Sequence, residues 1–484
     1  AAGVGSKEPN VNDQAVTDAV LDEMRFDFSV PASRISVVTT DSIVTLSGDV
    51  SNILAKKRAT RIAETVRGVR SVVNRITVTP PGDLDDSEIE DLIRTALLRD
   101  PATDSYEVSV SVDDGTVTLT GTVQSWQEKQ LVGTVASSVK GVRKVDNRVA
   151  IAMATDRPDP EIQSEVEQAL RWSRLVDDGL IKVSVDDSNV ALSGIVGSAA
   201  EKRQAELIAY VAGVRNVDTS ALNVERWARN EDLRTGKYVK KSDAEIAEAV
   251  QDALRYDPRV ASFRITPEVT GGIVTLRGTV DNRRALLAAK RDALNTVGVA
   301  RVKNRLSVQP HGSLSDQEIL DNLNSALARD PLVDRFELDP HVESGIVYLY
   351  GTVDSSFARA RVEDLANRTP GVVAVIDNLQ LSSPDLFVYE PYVSDWYVMD
   401  EDVLYTRPGQ YTFKPDSDIR DDIQSQLFWS PFVDSDDITV KVTNGTAQLT
   451  GTVSSRMERW SATENALEGG AGWVDNDLVI SAAS

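Results

Sequence analysis

Val117-Thr118-Leu119-Thr120-Gly121-Thr122-Val123 decides how this chain is read. Val117, Leu119 and Val123 fall on one side of an alternating pattern, the signature of a half-buried strand. Just upstream, Val108, Val110 and Val112 alternate in the same way, and Asp113-Asp114-Gly115 supplies turn chemistry, so the two runs form an antiparallel hairpin. Further upstream, Ile89, Leu92, Ile93, Ala96 and Leu97 recur at helical spacing behind Ser87-Glu88-Ile89-Glu90, which reads as a capping box. Asp100-Pro101 ends that helix. Downstream, Ser125-Trp126-Gln127-Glu128 opens a second helix that runs to Gly141, and residues 142–151 form a third strand. The order is helix, strand, strand, helix, strand.

The same unit recurs six times. Gly-x-Val ends the second strand at Gly48, Gly121, Gly194, Gly278, Gly351 and Gly451. A second anchor follows at Gly68, Gly141, Gly213, Gly298, Gly371 and Gly472, and a third at Asn74, Asn147, Asn304, Asn378 and Asn476, with Thr219 in the third copy. A longer duplication lies above this. Gly48 and Gly278 are 230 residues apart, as are Gly121 and Gly351, whereas Gly194 and Gly451 are 257 apart. Copies 1-2-3 therefore match copies 4-5-6, with 27 residues inserted before copy six. Further capping boxes are expected at Ser198–Glu201, Ser242–Glu245, Ser315–Glu318 and Ser455–Glu458.

The predicted fold is α+β: six tandem αββαβ modules, each a three-stranded mixed sheet with two helices on one face. The modules span residues 11–79, 85–152, 157–226, 242–309, 315–383 and 416–481. Residues 227–241 form a basic linker and 384–415 an aromatic-rich insert.

Composition narrows the function. The 484 residues carry 52 Lys and Arg against 75 Asp and Glu, a formal charge of −23, which disfavours nucleic acid as a partner. Cysteine is absent, excluding thiol catalysis, disulfides and a lipid-anchored cysteine. With only His311 and His341, a histidine-rich metal site or a Ser/His/Asp triad is poorly supplied. None of the anchor glycines forms a phosphate cradle, and they read as turns, close packing or helix caps. The repeated Asn reads as a local backbone partner, and Trp172 and Trp429, at the ends of first helices, as core or inter-module packing. Asp113-Asp114, Asp186-Asp187 and Asp434-Ser435-Asp436-Asp437 read as solvated turns. No catalytic residue, metal ligand or cofactor is assigned; weak Ca²⁺ binding at these acidic loops is left open.

The αββαβ order, the Val-Thr-Leu-Thr-Gly-Thr-Val strand, the later Gly-Val and the Val-x-Asn together resemble the BON domain (bacterial OsmY and nodulation). That resemblance implies extracytoplasmic, non-enzymatic modules, often linked to envelope integrity, some of which contact phospholipid. Six copies and the missing lipoprotein cysteine are departures from it. Ala1-Ala2-Gly3 fits a mature end after signal-peptide removal, so a periplasmic or extracellular location is expected.

Two segments lie outside the repeat. Arg229, Arg234, Lys237, Lys240 and Lys241 face only Glu231 and Asp232 in the linker, a candidate basic patch. Each basic residue near an anionic bilayer contributes about 1 kcal/mol, opposed here by the acidic body, so salt bridging to the modules is the preferred reading. The insert carries Phe387, Tyr389, Tyr392, Trp396, Tyr397, Tyr405, Tyr411 and Phe413, a candidate interface, since Tyr and Trp bury large areas at low entropic cost. The expected function is a modular scaffold that associates with itself as a homo-oligomer or homopolymer, a filament or sheath subunit. The alternative is a periplasmic envelope-stress protein binding phospholipid or another envelope component.

Overall fold

The computed structural model describes residues 11–27, 29–103, 107–152, 157–229, 241–257, 259–260, 262–310, 312, 314–382, 414–430, 432–453 and 456–480. Two helices serve each module: α1 (Asp13–Phe26) and α2 (Ile53–Thr65), α3 (Asp86–Arg99) and α4 (Trp126–Ser137), α5 (Asp159–Trp172) and α6 (Ala199–Ala209). The second half repeats the arrangement with α7 (Asp243–Tyr256) and α8 (Arg283–Leu294), α9 (Asp316–Arg329) and α10 (Ser356–Arg368), α11 (Asp416–Trp429) and α12 (Arg456–Glu468).

Each module has a three-stranded mixed sheet of the expected kind. In module 2 the central strand Thr116–Val123 pairs antiparallel with Val108–Asp113 and parallel with Lys144–Asn147, Val117 opposing both Val112 and Val145. The third strand breaks after Asn147 and resumes at Ala150–Ile151, whereas modules 3 and 4 keep it continuous as Asn216–Val224 and Arg301–Val308. Val110, Val117, Leu119 and Val123 are buried with Ile89, Ile93, Val132 and Val135, so both helices cover one sheet face. Each of the six modules has a hydrophobic cluster of its own.

The Gly-x-Val glycine is fixed by backbone contact. Gly48 has φ +126°, and a Cβ there would lie 2.1 Å from the Arg34 carbonyl oxygen; the same clash recurs at Gly194, Gly278 and Gly451. Only glycine lets the hairpin strands approach so closely at that φ.

The repeated Asn ties helix to strand. Asn74 Nδ2 donates to the Lys56 carbonyl at 2.9 Å and to Thr60 Oγ1 at 2.7 Å, while its Oδ1 accepts from Ile76 N at 2.9 Å. One expected position shifts by one residue, and one keeps its place but not its contact. In module 5, Asp377 rather than Asn378 sits opposite Leu349 and accepts from Leu379 N at 2.8 Å. In module 3 Thr219 keeps the anchor position, one residue after Asp218 opposite Ala191, but the contact two residues on passes to its neighbour, Asp218 accepting from Ser220 N at 2.8 Å. A carboxylate satisfies the amide two residues on as well as a carboxamide does, so sequence identity alone misplaces the anchor.

Caps follow the expectation with one correction. Ser242 with Glu245 and Ser315 with Glu318 form complete capping boxes, and Ser198 accepts from Glu201 N at 3.0 Å. Ser455 lies outside the described residues. The cap of α3 is Asp85 with Glu88, not Ser87: the helix begins two residues earlier because Asp is as good an N-cap as Ser.

One repeated contact gave no readable signal in a single module. The first residue of every first helix is Asp, and it accepts two backbone N–H groups from its hairpin turn 28 and 29 residues later. Asp13 holds Asp41 and Ser42, Asp86 holds Asp114 and Gly115, and Asp316 holds Ser344 and Gly345, all at 2.8–3.0 Å. Asp159, Asp243 and Asp416 do the same. A carboxylate at a helix N-terminus is favoured by the dipole, and here it also pins the hairpin to the helix.

Candidate interaction surfaces

The modules dock on one another through a repeated backbone contact. The last residue of a first helix offers its unsatisfied carbonyl to the amide just before the second anchor glycine of another module. Val297 N donates to the Trp172 carbonyl at 2.8 Å, Lys140 N to the Arg329 carbonyl at 2.8 Å, and Arg67 N to the Trp429 carbonyl at 3.3 Å. These contacts join modules 4 and 3, 2 and 5, and 1 and 6. Exchanging the two halves of the chain maps the first pair onto the third and the second onto itself, so modules 2 and 5 sit on the pseudo-twofold. The reciprocal bond in that pair has no donor, because Pro370 occupies the position equivalent to Lys140.

Side chains follow the backbone. Trp429 packs against the module 1 core and Trp172 against the module 4 core, and the Arg67 guanidinium lies 4.5 Å over the Phe428 ring. Both tryptophans therefore serve inter-module packing. Within the first half, Trp126 stacks on Tyr210 at 4.1 Å, Lys57 Nζ donates to Ser137 Oγ at 2.7 Å, and Arg203 pairs with Glu64 at 2.6 Å. Modules 1, 2 and 3 thus meet through their second helices.

Between modules 2, 3 and 4 lies a cavity of about 490 Å³. Trp126, Trp172, Tyr210 and Tyr256 line it together with Arg259, Arg284, Arg291, Asp257 and Asp292. The buried Arg284 guanidinium pairs with Asp100 of module 2. Burial pushes Arg284 down to about 10 against the pull of Asp100. Burial and the neighbouring Asp257 charge raise the Asp292 carboxyl well above the usual range. Asp257 is buried too, which opposes its charge, but Arg259 beside it holds its pKa below the ordinary value. The cavity offers packing and paired charge; it does not assemble a nucleophile with a base.

The residues singled out in the sequence fall mostly elsewhere. Phe387, Tyr389, Tyr392, Trp396, Tyr397, Tyr405, Tyr411 and Phe413 lie outside the described residues, as do Arg234, Lys237 and Lys240. Arg229 ends the short helix Arg226–Arg229. Lys241 is described, and its ammonium sits 5.6 Å above the Trp172 ring, so the last basic residue of the linker packs on module 3. Two of the acidic turns are engaged with arginines: Arg143 pairs with Asp114 at 2.5 Å and Arg215 with Asp187 at 3.2 Å. Among the described residues no group of three or more His, Asp or Glu is placed to hold a metal ion.

The uncovered sheet faces distinguish the modules. One row crosses each sheet at equivalent positions. It reads Ser111-Thr118-Asp146 in module 2, Ser184-Ala191-Asp218 in module 3, Glu268-Thr275-Lys303 in module 4 and Lys441-Gln448-Asp475 in module 6. In module 1 the row is Val38-Thr45-Val73, and in module 5 His341-Tyr348-Ile376. Val38 is 55% exposed and Ile376 42%, with Ile43 and Tyr350 exposed nearby. No strand of one module pairs with a strand of another among the described residues, so the sheets keep their edges.

Comparison with known proteins agrees with this architecture. The BON domain model matches residues 12–80, 85–153, 158–226, 242–310, 315–383 and 415–482. Osmotically-inducible protein Y of Escherichia coli K12 is 32% identical over 143 residues, covering 28% of this chain and 71% of its own. Outer membrane lipoprotein DolP of Haemophilus influenzae is 29% identical over 140 residues, covering 28% and 72%. Two solved structures of CdsD, a structural protein of the type III secretion system of Chlamydia trachomatis, are 15% and 16% identical. Each covers 42% of this chain, and they match over 91% and 96% of their own length with TM-scores of 0.11 and 0.12. With six matches that together take in most of its length, the chain belongs to the BON domain family.

Proposed function

We propose that this chain is a non-enzymatic, extracytoplasmic scaffold that associates with further copies of itself. The observation that carries the reading is the contrast between sheet faces. Modules 1 and 5 expose apolar rows where the other four carry polar or charged ones, and exposed apolar faces beside open strand edges favour association. The envelope location rests on the relatives, one of which is an outer membrane lipoprotein. In this reading the aromatic insert adds anchor residues to the same assembly. Sedimentation velocity and negative-stain imaging test it. The purified chain is expected to form oligomers or filaments, and Val38→Lys with Ile376→Lys, or deletion of residues 386–412, is expected to leave monomers. Monomers of the unaltered chain at all concentrations would sink it.

A second reading, binding of phospholipid or another envelope component, is favoured by the lipoprotein relative and by the basic linker. Flotation with anionic vesicles separates the two. Salt-sensitive flotation lost on neutralising Lys237, Lys240 and Lys241 supports the second reading and not the first.

A further inference from the structure

The interface on the pseudo-twofold places like charges together. Arg99 and Arg329 occupy the same position of the repeat, 230 residues apart, at the ends of α3 and α9. Both line a cavity of about 30 Å³ between modules 2 and 5, with Arg368, Ser138, Asn322 and Thr369. Among the described residues Arg99 reaches Ser325 Oγ, at 3.3 Å, and neither Arg99 nor Arg329 has a carboxylate within salt-bridge distance. Arg329 Nη1 is buried without a hydrogen-bond partner.

The surrounding carboxylates are already engaged. Asp330 takes Arg361 Nε at 3.0 Å and Nη2 at 2.6 Å; Asp364 takes Arg361 Nη1 at 2.8 Å and Arg368 Nε at 3.1 Å. Asp100, which also lines the cavity, is bound by Arg284 on both oxygens. Five guanidinium groups thus meet three carboxylates inside a protein whose formal charge is −23. Burial, with Arg99 adding to it, pushes the Arg329 guanidinium down to about 10. Arg284 and Arg361 are buried and paired, whereas Arg99 is exposed and Arg329 and Arg368 are half-buried; the cost falls on the buried Arg329 Nη1, which an anion in the cavity would satisfy. The cavity has room for a water molecule or a small anion.

We propose that a single small inorganic anion of halide size binds between modules 2 and 5, held by Arg99, Arg329 and Arg368, and couples the two halves of the chain. It is separate from the self-association reading and does not depend on it.

The test uses the full chain and chloride as the probe. At constant ionic strength, Tm is expected to be about 1–2 °C higher in sodium chloride than in sodium gluconate, saturating with concentration. The ³⁵Cl NMR line should broaden on adding the protein. Arg329→Gln should lose both effects. Arg99→Gln, an exposed position where folding is safe, should weaken both, and Arg420→Gln on α11 should change neither. Equal Tm values in the two salts, or line broadening that survives in Arg329→Gln and Arg99→Gln, would overturn the proposal and leave a water at Nη1. A stabilisation given by sulfate and not by chloride would overturn the halide assignment.

Discussion

Modules 3 and 4 meet through the same backbone contact as modules 2 and 5, with N···O distances of 2.8 Å in both, yet the two interfaces are filled differently. Between modules 3 and 4, Arg174 N adds a second bond to the Asn295 carbonyl at 3.0 Å, and Arg174 Nη1 reaches the Leu294 carbonyl at 2.8 Å. Pro331 stands at the equivalent place in module 5 and has no N–H to give, so modules 2 and 5 share one backbone bond. Aromatic rings and a large cavity border the first interface; arginine–aspartate pairs and a small cavity border the second. One backbone geometry therefore tolerates two chemistries. The carbonyl-to-amide bond sets how the modules lie, and side chains decide how tightly and at what pH they hold.

Each prediction separates the two interfaces. The largest effect is expected from Asp330→Ala, which strips a fully buried carboxylate from Arg361 and leaves its charge to Asp364; about 3 kcal/mol of stability should be lost in urea unfolding. Trp172→Ala removes the ring that packs on module 4 and should cost about 2–3 kcal/mol, with the first and second halves separating more readily under limited proteolysis. Lys140→Pro copies Pro370 and deletes the single backbone bond of the second interface. About 1–2 kcal/mol is expected, and hydrogen exchange should quicken at modules 2 and 5 while modules 3 and 4 stay protected.

The smallest effect concerns pH. Folded Asp292 keeps its proton to higher pH than the unfolded chain does. Between the two pKa values the folded state binds more protons, so this group's stabilisation is full at low pH and is lost as pH rises through the folded value. Asp292→Asn removes the titration and should flatten the decline in urea midpoint above about pH 4. An unchanged slope would show that Asp292 does not titrate as its burial implies.

Much of this was legible in the sequence, and for local reasons. Val117, Leu119 and Val123 announce a strand because a period of two is a property of neighbouring residues; Gly48 and its counterparts mark a close approach because no other residue fits at φ +126°. The displaced cap at Asp85 and the substitution of Asp377 for Asn378 show the limit. Where two residue types satisfy the same amide, pattern cannot choose between them. Asp13 and its five counterparts escaped notice for another reason: their partners lie 28 and 29 residues away, and nothing in a solvated helix start signals so distant a turn.

The amino-acid order by itself determined that there are six modules, what each contains, and that the second half repeats the first, since periodicity, turns and glycine anchors act over a few residues. Only the tertiary structure decided which module meets which, that Arg99 faces its own repeat Arg329, and that the row crossing each sheet turns Val38 and Ile376 outward in modules 1 and 5. Those outcomes depend on how helix ends and second-helix turns find partners across hundreds of residues, and such contacts leave no period to read.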